Sequence, residues 1–193
     1  MNKTNYVDQY LKMEKETLEA LDKDEINAVL DAMMETYQAE GTIYVFGNGG
    51  SASTASHMAN DFNKGISEYV DRKFRVCCLN DNVATMLAIA NDINYKEIYR
   101  FQLLGRLQPK DLVIGISGSG NSANVVNAVS YAKNQGVKTV GFCGFGGGRL
   151  KEIADYCFYV QLDNMKIVED LHLMMNHLLM YSVERILGIT ANC

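Results

Sequence analysis

Two kinds of hydrophobic pattern divide the chain. Over about the first 40 residues, apolar side chains recur at near-helical spacing, which predicts helices over residues 5–21 and 24–39. Neither helix leads directly into a strand. The pattern therefore predicts an N-terminal helical hairpin, which offers a contact surface for another subunit.

From Gly41 onward, short apolar runs alternate with helical patterns. Strands are predicted at residues 42–47, 74–79, 111–117, 138–145 and 155–162. Helices are predicted near residues 83–90, 95–107 and 123–136, with a long C-terminal helix over 165–187. This alternation indicates parallel strands joined by right-handed crossovers and buried on both faces.

The predicted fold class is α/β, a three-layer sandwich around a five-stranded parallel sheet of the flavodoxin/Rossmann-like kind, plus the N-terminal hairpin. A chain of 193 residues is long enough for one domain with a full core. We therefore expect a single domain over residues 1–193, with an α/β core over residues 41–193.

Composition narrows the function classes. The net charge of −5 and the lack of a Lys/Arg-rich block argue against a nucleic-acid partner. No apolar window approaches the roughly 18 residues of a membrane span, so no membrane partner is expected. Four of the five cysteines lie in predicted strands and Cys193 ends the chain, which suggests core thiols in a reducing cytoplasm.

The first glycine-rich turn follows a predicted strand. GNGGSA, residues 47–52, satisfies the dinucleotide pattern G-x-G-x-x-G/A. That function also needs an acidic residue about 20 residues further on, and the nearest candidate, Asp81, lies well beyond this spacing. No string fits the G-x-x-x-x-G-K-[ST] pattern of a triphosphate-binding loop. The turn alone leaves a dinucleotide and a smaller phosphate ligand open, and the missing acid disfavours the dinucleotide.

A second turn, SGSGNS at residues 117–122, carries three hydroxyls and two glycines in front of a predicted helix. Hydroxyls, backbone N–H groups and a helix N-terminus together suit a compact phosphate monoester. The alternative is a turn whose serines only cap the helix. Because both turns follow strands of one parallel sheet, we expect them to converge on one site.

Histidines and carboxylates lie on two predicted helices. His57 and Asp61 are four residues apart and share a helix face. The C-terminal helix carries Glu169, Asp170, His172 and His177. Such groups can bind a divalent metal or perform acid–base chemistry, although solvent-facing residues produce the same spacing. Glu169 and His177 are about 12 Å apart along a regular helix, so one ion joins both only if the side chains converge, the helix is irregular, or two subunits contribute.

Four segments together resemble the sugar-isomerase (SIS) domain family: GNGGSASTASHMANDF, ANDINYKEIYRFQLLGRL, ISGSGNSANV and EDLHLMMNH. The likeness extends over essentially the whole chain. Within the family, the chain is most similar to the phosphoheptose isomerase branch, which interconverts sedoheptulose 7-phosphate and D-glycero-D-manno-heptose 7-phosphate.

The resemblance implies an aldose–ketose isomerase that forms an enediolate with metal assistance, by Zn²⁺ or another divalent ion, and uses no nucleotide cofactor. It also implies a homotetramer with active sites between subunits, in which the helices of residues 1–40 take part. Asp61 is the implied base and His177 its acid–base partner. The implied metal ligands are His57, Asp61, Glu169 and His177. The implied substrate-binding residues are Asn48, Gly49, Gly50, Ser51, Asn91, Asp92, Ser117, Gly118, Ser119, Ser122 and Glu169.

The chain departs from the family pattern at several positions. Asp61 replaces a glutamate and is one methylene shorter, whereas Glu169 replaces a glutamine and adds a negative charge. Gly118 stands where threonine is usual, and residues 63–65 replace an expected arginine, with Lys64 as a substitute. The alternative is therefore a non-catalytic SIS protein, either a phosphosugar sensor or an adaptor that binds the bacterial replication initiator.

Overall fold

The computed structural model describes residues 4–190. Its helices are α1 Thr4–Glu19, α2 Lys23–Gln38, α3 Gly50–Asn60, α4 Val83–Asp92, α5 Arg100–Leu103, α6 Ala123–Asn134, α7 Gly148–Ile153 and α8 Met165–Ile186. The strands are β1 Ile43–Gly47, β2 Val76–Cys78, β3 Leu112–Ser117, β4 Lys138–Gly144 and β5 Tyr156–Val160. A π-helical turn at Asp61–Ile66 extends α3, and short 3₁₀ turns lie at Ser67–Tyr69 and Tyr95–Glu97.

The five strands form one parallel sheet in the order β2-β1-β3-β4-β5. After β1 the chain adds β2 on one side, and from β3 onward it builds in the opposite direction. The strand order therefore reverses between β1 and β3. At such a switch point the loops that follow two adjacent strands diverge and leave a crevice for a ligand.

Helices cover both faces of this sheet. In β1, Ile43 and Val45 face a core cluster that includes buried residues of α2, α3 and α8. Tyr44 and Phe46 face a second cluster with residues of α4, α5, α6 and α7. This two-residue alternation between buried faces is typical of a strand covered on both sides. The prediction of a three-layer α/β fold is confirmed.

The N-terminal helical hairpin is also present. Asp22 caps α2 by accepting hydrogen bonds from the backbone N–H groups of Asp24 and Glu25, at 2.9 and 3.2 Å. α2 buries Val29 and Met33 completely, so it belongs to the core. α1 instead exposes large apolar side chains, namely Tyr6, Val7, Leu11 and Leu18.

Some predicted boundaries were wrong. The strand predicted over residues 74–79 spans only Val76–Cys78, at the edge of the sheet. The helix predicted over residues 95–107 is broken, because Leu104 has an extended ψ of 123° and Gly105 a φ of 68°. The helix that carries His57 widens at Asp61 into the π-helical turn, which the hydrophobic pattern did not indicate.

Three of the strand cysteines, Cys78, Cys143 and Cys157, are buried and Cys77 is partly buried; all four are free thiols. Cys193 lies outside the described residues. Among the helices of residues 4–190, none has the length and apolar character needed to cross a bilayer.

Candidate active site

The turn after β1 is held in place by Asn48. Asn48 and Asn124 of α6 exchange two side-chain hydrogen bonds of 2.9 Å each. The hydroxyl of Tyr95 donates to Asn48 Oδ1 at 3.1 Å, and the hydroxyl of Tyr99 lies 3.0 Å from the same oxygen and also contacts the Gly47 carbonyl. Asn48 is thus connected to both α6, which follows β3, and the segment after α4, so the amide is oriented before any ligand arrives.

Asn80 reinforces the same turn. Its side-chain amide pairs with Gly47, accepting from the backbone N–H at 3.2 Å and donating to the carbonyl at 2.9 Å. Asn80 Nδ2 also lies 2.9 Å from the Tyr99 hydroxyl. Burial raises the pKa of Tyr99 to about 12, so the phenol stays neutral and remains a donor. Sequence reasoning missed Asn80, Tyr99 and Asn124, all of which lie far from Asn48 in the chain.

The serine turn after β3 brings three hydroxyls together, and their hydrogen bonds stay within the turn. Ser117 Oγ and Ser122 Oγ lie 3.1 Å apart, and Ser119 Oγ accepts from the N–H of Asn121 at 3.2 Å. Ser122 occupies the N-cap position of α6, but its side chain makes no capping hydrogen bond. Capping by the Ser122 side chain therefore does not account for its place at the start of α6.

A further glycine-rich turn, at residues 144–148 after β4, packs against the serine turn. The N–H of Gly144 donates to the Gly118 carbonyl, and the N–H of Leu150 donates to that of Gly120, each at 2.8 Å. The N–H of Arg149 donates to Asn121 Oδ1 at 3.0 Å. These hydrogen bonds hold the carbonyls of Gly118 and Gly120 and the side chain of Asn121 in place.

The two turns border one cleft of about 100 Å³ at the switch point, as expected from their positions in the chain. Its lining consists of Asn48, Ser51, Ile116, Ser117, Gly118, Ser119, Ser122, Met165 and Glu169. Within the described residues, this lining contains no Lys, Arg or His. A Cβ atom on Gly118 would lie 2.4 Å from Met165 Sδ, so Met165 occupies the space that a threonine side chain would need.

Glu169, on α8, lies between this cleft and helix α3, which carries His57. Its carboxylate atoms lie 2.6–2.8 Å from where a Cβ on Gly50 would be, so Gly50 is required for this close approach. A second cleft, of about 230 Å³, shares Glu169 and is also lined by His57 and Asp170. A hydrogen bond to Asp170 raises the pKa of Tyr10 to about 12 and ties α1 to this part of α8.

Three of the predicted metal ligands converge. His57 Nε2 lies 3.0 Å from His177 Nε2, and Asp61 Oδ2 lies 3.2 Å from His57 Nε2 and 3.9 Å from His177 Nε2. His57 and His177 are exposed, whereas Asp61 is only 9% exposed. Asp61 starts the π-helical turn, a feature often found at functional sites.

This triad fits a divalent metal ion. Ligand atoms about 2.1 Å from a tetrahedral zinc ion are themselves about 3.4 Å apart, which is close to the separations in the triad. Two imidazole nitrogens and one carboxylate oxygen are also a donor set that zinc uses in catalytic sites, where a further position stays open. Among the His, Cys, Asp and Glu residues of 4–190, only His57, Asp61 and His177 form such a group.

Glu169 does not join the triad, so the structure does not bring the four implied ligands together within one chain. α8 is a helix from Met165 to Ile186, and Glu169 and His177 lie eight residues apart on it. The separation of about 12 Å calculated from helix geometry is therefore not closed by a distortion of α8.

Asn91 and Asp92 end α4 and are exposed. The Asn91 amide donates to Asp92 Oδ1 at 2.7 Å, and neither residue lines the two clefts described above. The same segment continues to Tyr95, which contacts Asn48. Lys64, the expected substitute for the missing arginine, forms an ion pair in which its Nζ lies 2.6 Å from Glu68 Oε2.

The fold is shared with a known class of proteins. Residues 5–144 match the family model of the SIS domain. This chain therefore belongs to the SIS domain family.

Within this family, the chain is similar to several proteins named phosphoheptose isomerase. The phosphoheptose isomerase of Helicobacter pylori strain P12 is 34% identical over 171 residues, which cover 89% of this chain and 88% of that protein. The phosphoheptose isomerase of Thermodesulfovibrio yellowstonii is 36% identical over 168 residues, which cover 84% and 80%. Among solved structures, a phosphoheptose isomerase from Francisella tularensis superposes with a TM-score of 0.86 at 25% identity, covering 96% of this chain and 100% of that one.

Proposed function

We propose that this chain is a phosphosugar isomerase and that it interconverts sedoheptulose 7-phosphate and D-glycero-D-manno-heptose 7-phosphate. The observation that carries the proposal is the pairing of a hydroxyl-lined cleft with a His–Asp–His triad, whose His57 lines a second cleft that shares Glu169 with the first. The similarity to phosphoheptose isomerases over more than four fifths of both chains supports the class of reaction.

The serine turn is the proposed phosphate site. Ser117, Ser119 and Ser122 supply hydroxyls, and the N-terminus of α6 supplies a favourable dipole for the phosphate charge. Binding the phosphate here fixes one end of the sugar and lowers the entropic barrier to reaction at the other end. The turn after β1, with Asn48, Gly49, Gly50 and Ser51, is proposed to line the sugar, and Asn91 and Asp92 to contact its hydroxyls.

The triad is the proposed reacting end. A divalent metal ion, in our proposal Zn²⁺, would be held by His57, Asp61 and His177, and it would supply electrostatic stabilisation for an enediolate oxygen. Asp61 is the proposed base that removes the proton from the carbon next to the carbonyl. His177 is its proposed partner in returning a proton to the neighbouring carbon. The charge of Glu169 disfavours a second negative group beside it, so its role is proposed to be contact with the sugar rather than with the phosphate.

A homotetramer with active sites between subunits is also proposed. α1 packs on the core through Tyr10 and Met13 but leaves Tyr6, Val7, Leu11 and Leu18 exposed, and patches of exposed apolar side chains often mark interaction surfaces. Contact between subunits through the helices of residues 1–40 would cover them. The molar mass in solution, measured by light scattering, tests this proposal.

The central experiment incubates purified protein with sedoheptulose 7-phosphate and follows the anomeric proton of the aldose by NMR. The metal content of the same sample is measured. We expect bound divalent metal and product, and no conversion of sedoheptulose without its phosphate. Asp61→Asn and His177→Gln should each lower turnover by about 100-fold or more while phosphosugar binding remains. Asp71→Asn, the same chemical change at an exposed position, should retain activity.

Other outcomes of this experiment would favour the alternative, a non-catalytic SIS protein. Binding of the sugar phosphate without turnover by metal-loaded protein would favour a sensor. Neither metal nor sugar phosphate bound would favour an adaptor. Full turnover by Asp61→Asn and His177→Gln would refute the assigned roles.

A further inference from the structure

Asn176 lies on α8 next to His177 and contacts the triad from inside the protein. It is 0% exposed, and its Nδ2 donates to Asp61 Oδ2 at 2.6 Å. The opposite amide orientation would place its oxygen against the carboxylate, which electrostatic repulsion disfavours. The hydrogen bond therefore defines the orientation of Asn176.

The other half of this amide is unsatisfied. Asn176 Oδ1 is buried and has no hydrogen-bond partner within residues 4–190. A buried carbonyl without a partner destabilises a protein relative to an apolar side chain of the same shape. Stability alone thus does not explain an asparagine at this position, and the bond to Asp61 is the interaction that an apolar residue could not make.

The Asn176 bond is the shortest contact of the Asp61 carboxylate within residues 4–190. Asp61 has helical backbone angles, φ −61° and ψ −43°, which leave its side chain free to rotate, so side-chain contacts decide where the carboxylate points. Its Oδ2 lies 3.2 Å from His57 Nε2 and 3.9 Å from His177 Nε2, while Asn176 Nδ2 is the closest of these three nitrogen atoms. The Asn176 hydrogen bond therefore opposes a rotation of the Asp61 side chain away from the histidine nitrogens.

We propose that Asn176 is a positioning residue that holds Asp61 Oδ2 towards the two histidine nitrogens and so preforms the metal site. This inference rests on the proposed metal-binding role of the triad. Groups that hydrogen-bond to metal ligands commonly contribute about 10- to 100-fold to metal affinity. Removal of the Asn176 amide should therefore weaken metal binding by about that factor.

The test is a titration of metal-free protein with Co²⁺, followed by its visible absorption, with competition by a chelator to obtain the affinity. Asn176→Leu keeps most of the buried volume and removes the donor, and Asn176→Ala is a second variant with a smaller side chain. Val183→Ala is the control, because Val183 is a buried residue of the same helix outside the triad. Thermal melting of each metal-free variant separates folding from binding.

We expect both Asn176 variants to bind Co²⁺ about 10- to 100-fold more weakly, whereas Val183→Ala melts at a lower temperature but keeps its Co²⁺ affinity.

A rescue variant adds a second test of the contact between Asn176 and Asp61. Glutamate at position 61 carries the carboxylate one methylene further, into space that the Asn176 amide occupies. Asp61→Glu should therefore weaken binding in the presence of Asn176, and the double variant Asp61→Glu with Asn176→Ala should recover affinity, which is non-additive behaviour.

The possible outcomes distinguish failure of the metal role of the triad from failure of the positioning role of Asn176. If the unmodified protein gives no Co²⁺ absorption, the metal role of the triad fails. If the unmodified protein binds Co²⁺ and both Asn176 variants bind it equally well, the triad stands and the positioning role of Asn176 is refuted.

Discussion

Because His172 is buried, we predict that the protein loses folding stability in acid. It lies on the buried face of α8, 1% exposed, between the rings of Phe142 and Phe158 at 5.7 and 5.9 Å. Neither ring nitrogen makes a hydrogen bond of normal geometry within residues 4–190. Burial lowers the pKa of His172 from 6.5 to about 4, and the nearby backbone of Cys143 offsets this only in part.

The sign and size of the effect follow from this shift. Between pH 4 and 6.5 the unfolded chain binds the proton and the folded chain does not, so stability falls as the pH falls through this window. The linkage relation gives a loss of about 2 kcal/mol at pH 5 relative to pH 7.5. Below the folded-state pKa the loss approaches about 3 kcal/mol and stays constant.

The assay is urea unfolding of metal-free protein at pH 7.5 and pH 5, at one protein concentration. Replacing His172 by Leu removes the titrating group, so this variant should lose about 2 kcal/mol less than the unmodified protein between the two pH values. His177→Gln, which removes an exposed histidine of the same helix, should leave the acid sensitivity in place. If His172→Leu and the unmodified protein lose equal stability, burial of a neutral His172 is not the cause.

Two further predictions concern the cleft. Glu169→Gln removes a negative charge beside the serine turn, so KM for the phosphorylated sugar should fall about fivefold, or about 1 kcal/mol; an unchanged KM in steady-state assays would show that this charge does not reach the phosphate. Asp163→Asn, the same neutralisation at an exposed position, is the control. Asn124→Ala removes the amide that orients Asn48, so kcat/KM should fall by about tenfold or more, while Asn134→Ala at the exposed end of the same helix keeps the unmodified value. Equal rates for these two variants would contradict the role of the amide pair.

The parts of the fold that were predictable depend on local patterns. Each strand of the sheet is an apolar run bounded by turn residues, and parallel order follows from the helices between the runs. The two glycine-rich turns could be placed at one edge because strands of a parallel sheet end at the same side. Edge strand β2 and the broken helix after Tyr95 were harder, since their limits depend on pairing and on the backbone at Leu104 and Gly105.

The residues that orient the site were not predicted, because their partners are remote in sequence. Asn124 lies 76 positions from Asn48, and Asn176 lies 115 positions from Asp61. A weak local signal does exist. Asn124 interrupts the buried stripe of α6 and Asn176 that of α8, and a polar residue within such a stripe requires a buried partner.

α8 determines the relation between the two halves of the site. The serine turn and Asn48 are fixed by strand ends and backbone hydrogen bonds, independently of α8. Glu169, Asn176 and His177 all depend on how α8 packs against the sheet. A change in this packing moves His177 relative to His57 and Asp61, which lie on α3 and the π-helical turn, whereas a change in the serine turn leaves the triad intact. Substitutions in the buried stripe of α8 between Glu169 and His177 should therefore alter metal affinity and turnover together, and substitutions in the serine turn should leave metal affinity unchanged.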